Sequence, residues 1–140
     1  MRVKKLGSNK EILIRAHKYL INWDKSGNSS LERQFRELIK PYWLRCVVLF
    51  QCTIPGSKLK IDFLNCNKRL AVEINGPQHD KFNKFFHNGS LNVFKDAMRR
   101  DLQKQRWLEE NNIILLELIQ EDLDNFSPRI IEQKYGIDIT

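Results

Sequence analysis

Lys60-Ile61-Asp62-Phe63-Leu64 and Leu70-Ala71-Val72-Glu73-Ile74-Asn75-Gly76-Pro77-Gln78-His79 decide how this chain reads. Each opens as an apolar run of strand length carrying one carboxylate, and the polar turn Asn65-Cys66-Asn67-Lys68 joins them. Successive side chains of a strand face opposite ways, so Asp62 and Glu73 are expected to point away from their branched or aromatic neighbours. On adjacent strands the two carboxylates would meet on one side of the sheet. Paired carboxylates repel and are costly to desolvate, and a bound cation is the usual resolution. Such a cation polarises a phosphoryl oxygen and lowers the pKa of a bound water. The alternative is two ordinary acids, facing solvent or paired with Lys60, Lys68 or Arg69.

Working outward, residues 44–54 read as a preceding strand rich in Val, Leu and Phe, and Pro55-Gly56 turns the chain into strands over 58–65 and 69–75. Upstream, Ile12, Leu13, Ala16, Tyr19, Leu20 and Trp23 recur at helical spacing and predict a helix over 9–23. After a turn at 24–28, a second helix runs from Ser29 or Ser30 through Leu31, Phe35, Leu38 and Ile39 to Pro41. Downstream, residues 91–110 read as one long helix ending near Asn111-Asn112, and Ile113 to Ile119 as a strand. Glu121 to Ser127 reads as a loop, and Pro128 opens a final helix over 128–135.

The order α–α–β–β–β–α–β–α predicts an α/β fold, a mixed central sheet flanked by helices. The strand that returns after the long helix is expected to pair in parallel. With no repeat, low-complexity segment or linker, residues 1–140 are expected to form one domain, with a core over 29–119.

A balance of 24 Lys+Arg against 17 Asp+Glu, net +7, favours a polyanionic partner, usually nucleic acid. No apolar run approaches the roughly 20 residues needed to cross a bilayer. The basic start Met1-Arg2-Val3-Lys4-Lys5 is followed by no signal-type apolar core, so a cytoplasmic location and no membrane partner are expected. Cys46, Cys52 and Cys66 form no CxxC pair and read as reduced structural thiols, so no zinc is expected.

Glu32, Asp62-Phe63, the run from Glu73 to His79, and Asp101-Leu102-Gln103-Lys104 together resemble the PD-(D/E)XK (restriction-endonuclease-like) superfamily. The likeness is to the branch of very-short-patch repair endonucleases and EDxHD homing endonucleases, and it spans residues 29–119. It implies a restriction-endonuclease-like fold and an endonuclease that hydrolyses DNA with Mg²⁺ or Mn²⁺. Asp62 and Glu73 would ligate the metal, which prefers oxygen donors. His79 would act as general base or orient the water, with Glu32 and Asp101 completing the catalytic set and Asn75, Gln78 and Lys104 supporting it. A bacterial, phage-infected or mobile-element host cell would be the setting.

Asn75 stands where the commoner Glu-x-Lys pattern has lysine, leaving His79, Lys81, Lys84 or Lys104 to supply proton handling or charge. The zinc site of very-short-patch repair enzymes has no counterpart here. Plainer readings exist for each residue. Glu32 has the spacing of a capping box with Ser29, Asn75-Gly76 suits a turn needing φ > 0, and His79 suits an ordinary loop. Asp101 and Lys104 suit a surface ion pair, and Asp96 competes for the helix acid position.

Lys81, Lys84, Arg99 and Arg100 are the expected DNA contacts, with Phe82, Phe85, Phe86 and His87 interleaved in the 81–90 loop. A single small domain has one active site, so a double-strand cut would take a homodimer or two nicks, and specificity would come from loops, DNA structure or a partner protein. The rivals are a non-catalytic nucleic-acid-binding module and an RNA-directed nuclease.

Overall fold

The computed structural model describes residues 1–25, 29–75 and 91–140. The chain opens with the hairpin β1 (Arg2–Lys4) and β2 (Glu11–Leu13), a single helical turn α1 (Ala16–Tyr19), and the helix α2 (Ser30–Trp43). Three strands follow, β3 (Val48–Thr53), β4 (Lys60–Asn65) and β5 (Leu70–Ile74). The helix α3 (Leu91–Glu110) precedes β6 (Ile114–Leu118), and the short helices α4 (Gln120–Asp124) and α5 (Pro128–Tyr135) close the chain.

The last four strands form a mixed sheet in the order β3–β4–β5–β6, antiparallel except for the parallel β5–β6 pair. A parallel return needs a crossover, and α3 lies between those two strands. Each face of the sheet buries one apolar cluster. On one face Val48, Phe63, Leu70, Val72, Leu116 and Leu118 meet Phe35, Ile39 and Trp43 of α2. The Phe35 ring lies 4.9 Å from that of Phe63. On the other face Leu49, Cys52, Ile61, Leu64 and Ala71 meet Trp107 and Leu108 of α3.

Residues 9–23 do not form the predicted helix. Val3 pairs with Ile12 and Arg2 with Leu13, so β2 completes a hairpin whose Val3 is buried in the α3-side cluster. The helical periodicity had no face to bury, since Leu13 and Leu20 are 65% and 57% exposed. Trp107 Nε1 donates to Lys4 O at 2.7 Å and Asn111 Oδ1 accepts from Lys4 N at 2.8 Å, fixing the hairpin to the end of α3.

The second helix also continues past Pro41 to Trp43. Trp43 is fully buried, and its Nε1 donates to Ile139 O at 2.7 Å, which anchors that last turn. The third strand accordingly starts at Val48 rather than 44. Most of α4 falls in the segment read as a loop from Glu121, and Asp122 Oδ2 accepts at 2.9 Å from the N–H of Ile119, the residue that precedes the helix.

All three cysteines are free, with Cys52 buried and its thiol pushed up to about 12 by burial. No helix among the described residues is long and apolar enough to cross a membrane.

Candidate active site

Strand register brings the polar residues of the sheet into one row. Phe50 pairs with Phe63 and Cys52 with Ile61, which sets Gln51 opposite Asp62. One step beyond the last β4–β5 pair, Phe63–Val72, Asp62 faces Glu73, and Glu73 in turn pairs with Glu117 of β6.

Alternation fails in the middle of that row. Phe50 and Phe63 sit in the α2-side cluster, yet two residues along, Cys52 and Ile61 sit in the α3-side cluster. Residues two apart in a regular strand share a face, so both strands switch faces at Gln51 and Asp62. Gln51 carries the switch with φ +51°, a left-handed conformation costly for a residue with a Cβ. The expectation that Asp62 opposes both its neighbours is thereby corrected: Ile61 and Phe63 lie on opposite sides of the sheet. For Glu73 alternation holds, because Val72 and Ile74 both pack on the α2 side.

The switch releases Asp62 from the ladder. Its Oδ2 accepts from Ile74 N at 2.9 Å and its Oδ1 from Gln51 Nε2 at 3.2 Å. The other proton of the same amide goes to Glu32 Oε1, with Nε2 at 2.7 Å. Glu32 arrives from the first turn of α2, where its backbone N–H meets the Ser29 hydroxyl at 3.5 Å. Backbone and side chain divide the two readings of this residue: the N–H serves the cap, and the carboxylate faces the sheet.

Glu73 lies within hydrogen-bonding reach of Asp62, and its side chain is 13% exposed. Burial, together with hydrogen bonding to and repulsion from Asp62, pushes its carboxyl up to about 8, against the pull of Lys104. Lys104 Nζ reaches Glu73 Oε1 at 2.8 Å from the α3 side. Burial first and Asp62 second also raise the Glu32 carboxyl, while Gln51 and Arg36 oppose the rise. Acids therefore approach the same strand end from both layers, with a cation on one flank. A small cleft of about 60 Å³ opens beside them, lined by Glu73, Asn75, Asp101, Lys104, Gln105 and Glu117 among others.

The chain is similar to two viral proteins. It is 40% identical over 65 residues to Uncharacterized protein 033L of Invertebrate iridescent virus 3, covering 46% of this chain and 33% of that protein. It is 38% identical over 60 residues to Uncharacterized protein 307L of Invertebrate iridescent virus 6, covering 43% of this chain and 30% of that protein. The matched part thus spans about a third of the length of these relatives. No family model and no solved structure matches.

Of the residues singled out in the sequence, Glu32, Asp62, Glu73 and Lys104 come together. Asp101 and Asn75 line the adjoining cleft, whereas Asp96 is exposed outside that lining, which separates the two helix acids. Arg99 and Arg100 are exposed on α3, away from the carboxylates' contacts. Gln78, His79, Lys81, Lys84 and the phenylalanines of the 81–90 loop lie outside the described residues.

Among the described residues no three His, Cys, Asp or Glu side chains converge closely enough to hold one ion. The Gln51 amide stands between Glu32 and Asp62, which leaves Asp62 and Glu73 as the pair. Gln51 and Glu117 were not singled out in the sequence. Their only signal was a polar residue within the apolar runs Val47-Val48-Leu49-Phe50-Gln51-Cys52 and Ile113-Ile114-Leu115-Leu116-Glu117-Leu118.

Proposed function

We propose that this chain is a divalent-metal-dependent endonuclease that hydrolyses DNA phosphodiester bonds on a restriction-endonuclease-like fold. One observation carries the reading: Asp62, released from the ladder, and Glu73, still paired on β5, share a half-buried site in which Lys104 Nζ lies 2.8 Å from Glu73 Oε1. Two hard oxygen donors held side by side, with only Lys104 to offset the charge on Glu73, suit Mg²⁺ or Mn²⁺, so the residues fit that ion. The sheet order, with α3 between the parallel strands, supports the same reading.

Asp62 and Glu73 would hold the ion, which when bound supplies Lewis-acid polarisation of the phosphate and a more acidic water. The chain's own groups do the rest. Ile74 N–H fixes the Asp62 rotamer, and Lys104 fixes Glu73 while bringing positive charge to the phosphate side. In this role Lys104 stands in for the lysine that Asn75 replaces. His79 is retained in the proposal as the proton-handling group, and Arg99 and Arg100 as phosphate contacts that make affinity salt-dependent.

A second reading is a nucleic-acid-binding module without cleavage. It draws support from Asn75 and from the lack, among the described residues, of a third converging ligand. Supercoiled plasmid with Mg²⁺ or Mn²⁺, beside Asp62→Ala, separates the two. Metal-dependent nicking lost in the variant supports the nuclease; tight, salt-sensitive binding without nicking by either protein supports the module. RNA in the same assay tests for an RNA-directed enzyme.

A further inference from the structure

We infer that Gln51 is a positioning residue of this site, one that holds Glu32 and Asp62 in register through the two protons of a single amide. The inference rests on the metal-site reading and extends it to a residue on a third element.

The geometry leaves the amide little alternative use. Gln51 Nε2 has two N–H groups, and Glu32 Oε1 at 2.7 Å and Asp62 Oδ1 at 3.2 Å take them. Ionised carboxylates only accept, so a donor with two protons is what this position requires. A second carboxylate here would add repulsion, and a hydrocarbon would leave two half-buried acids facing each other across a gap.

The backbone is shaped to deliver that amide. Gln51 holds φ +51° in the middle of a strand, where non-glycine residues rarely sit. Its neighbours Phe50 and Cys52 pack on opposite faces, as do Phe63 and Ile61 across the ladder. Both strands thus abandon alternation at the one position where Gln51 faces Asp62. A glutamine placed there only to fill a strand would stay in the extended region and keep the ladder.

The consequence is that α2 contributes to the metal pair without touching the ion. Glu32 orients the amide, the amide orients Asp62 Oδ1, and Ile74 N–H pins Asp62 Oδ2. Groups that orient a ligand in this way typically change metal affinity by about 10- to 100-fold when removed.

The test uses the full chain, with Mn²⁺ as the probe, followed by electron paramagnetic resonance. The variants are Gln51→Leu, Gln51→Gly, Glu32→Leu and the Gln51→Leu/Glu32→Leu double. Thermal unfolding is recorded for each. Gln51→Gly relieves the positive φ, so it is expected to melt no lower than Gln51→Leu while binding Mn²⁺ about tenfold more weakly than wild type. The double variant is expected to bind no more weakly than the worse single, because both act along one path.

In wild type, the Gln51 side-chain amide protons should be shifted downfield in nuclear magnetic resonance and exchange slowly. They should revert towards free values in Glu32→Leu. A Gln51→Gly protein that folds and binds Mn²⁺ like wild type would overturn the positioning role alone. Multiplicative losses in the double variant, or free-like amide signals in wild type, would do the same. A wild type that binds no Mn²⁺ while the amide remains held would instead overturn the metal-site reading, and the positioning role with it.

Discussion

Replacing Glu73 by Gln should remove the pH dependence of stability that this carboxyl creates. In the absence of divalent ions, burial and the nearby Asp62 hold the Glu73 carboxyl at about 8, whereas an ordinary glutamate carboxyl titrates at 4.5. Between those values the folded chain keeps a proton that the unfolded chain has released. Unfolding is then favoured as pH rises, and the protein is most stable, as far as this group is concerned, below the unfolded value. At about 1.4 kcal/mol per pH unit, the full interval represents roughly 3–5 kcal/mol of stability lost by pH 8.5. That is a sizeable part of the roughly 5–15 kcal/mol typical of a domain.

The assay is urea unfolding of wild type and Glu73→Gln in EDTA at pH 5, 7 and 8.5. The expected result is a difference between the two that moves in favour of Gln by roughly 3–5 kcal/mol from pH 5 to 8.5. Contributions from other titrating groups, Glu32 among them, largely cancel in that difference. Adding Mg²⁺ should stabilise wild type more at pH 8 than at pH 6, because the ion takes the place of the proton. A difference that stays constant across this range would refute the argument that Asp62 and Glu73 form a desolvated, mutually repelling pair.

Lys104→Met should reduce metal-dependent nicking by at least about tenfold while leaving the salt slope of DNA binding nearly unchanged, since the Lys104 ammonium is already paired with Glu73 at 2.8 Å. Nicking and filter-binding assays in parallel check this, and a slope that falls by a full unit would place Lys104 on the backbone instead. Arg99→Ala with Arg100→Ala should lower the slope of log K against log salt by about 1–2, measured over a salt titration. An unchanged slope would remove these exposed residues from the DNA-contacting surface.

At the C-terminus, burial works to raise the Asp122 carboxyl. Hydrogen bonds from Lys134 at 2.7 Å, Tyr135 at 2.5 Å and Ile119 N at 2.9 Å outweigh it and hold the group below its ordinary value. Its contribution is therefore complete above the ordinary carboxyl value and lost as pH falls through the folded one. Asp122→Asn should cost about 1–3 kcal/mol at pH 7, with the gap closing at pH 3. Chemical unfolding at the two pH values is the check, and an equal cost at both would count against the carboxylate's role.

Local patterning was enough to locate the four strands of the main sheet, the long helix and the acidic pair. Two short apolar runs joined by a polar turn leave few alternatives to adjacent antiparallel strands, and β4 and β5 fall where those runs lie. The helix over 91–110 and the parallel strand after it were likewise legible, because a long periodic run followed by a short apolar one has essentially one way to return to a sheet. The carboxylates Asp62 and Glu73 were found because each interrupts an apolar pattern.

Tertiary structure decided the rest. The run over 9–23 has helical spacing, but its apolar residues gain more by pairing with Arg2–Lys4 and seating Val3 against the α3 side than by forming a helix with an exposed face. The role of Gln51 was invisible locally, since its meaning comes from Asp62 opposite it and from Glu32 on a separate helix. That Lys104 pairs with Glu73 became visible only once α3 was laid across that residue, while Lys81 and Lys84 lie outside the described residues. Periodicity reports which side of its own element a residue occupies; which groups share a site depends on register between strands and on how helices dock, and those are set by contacts distant in sequence.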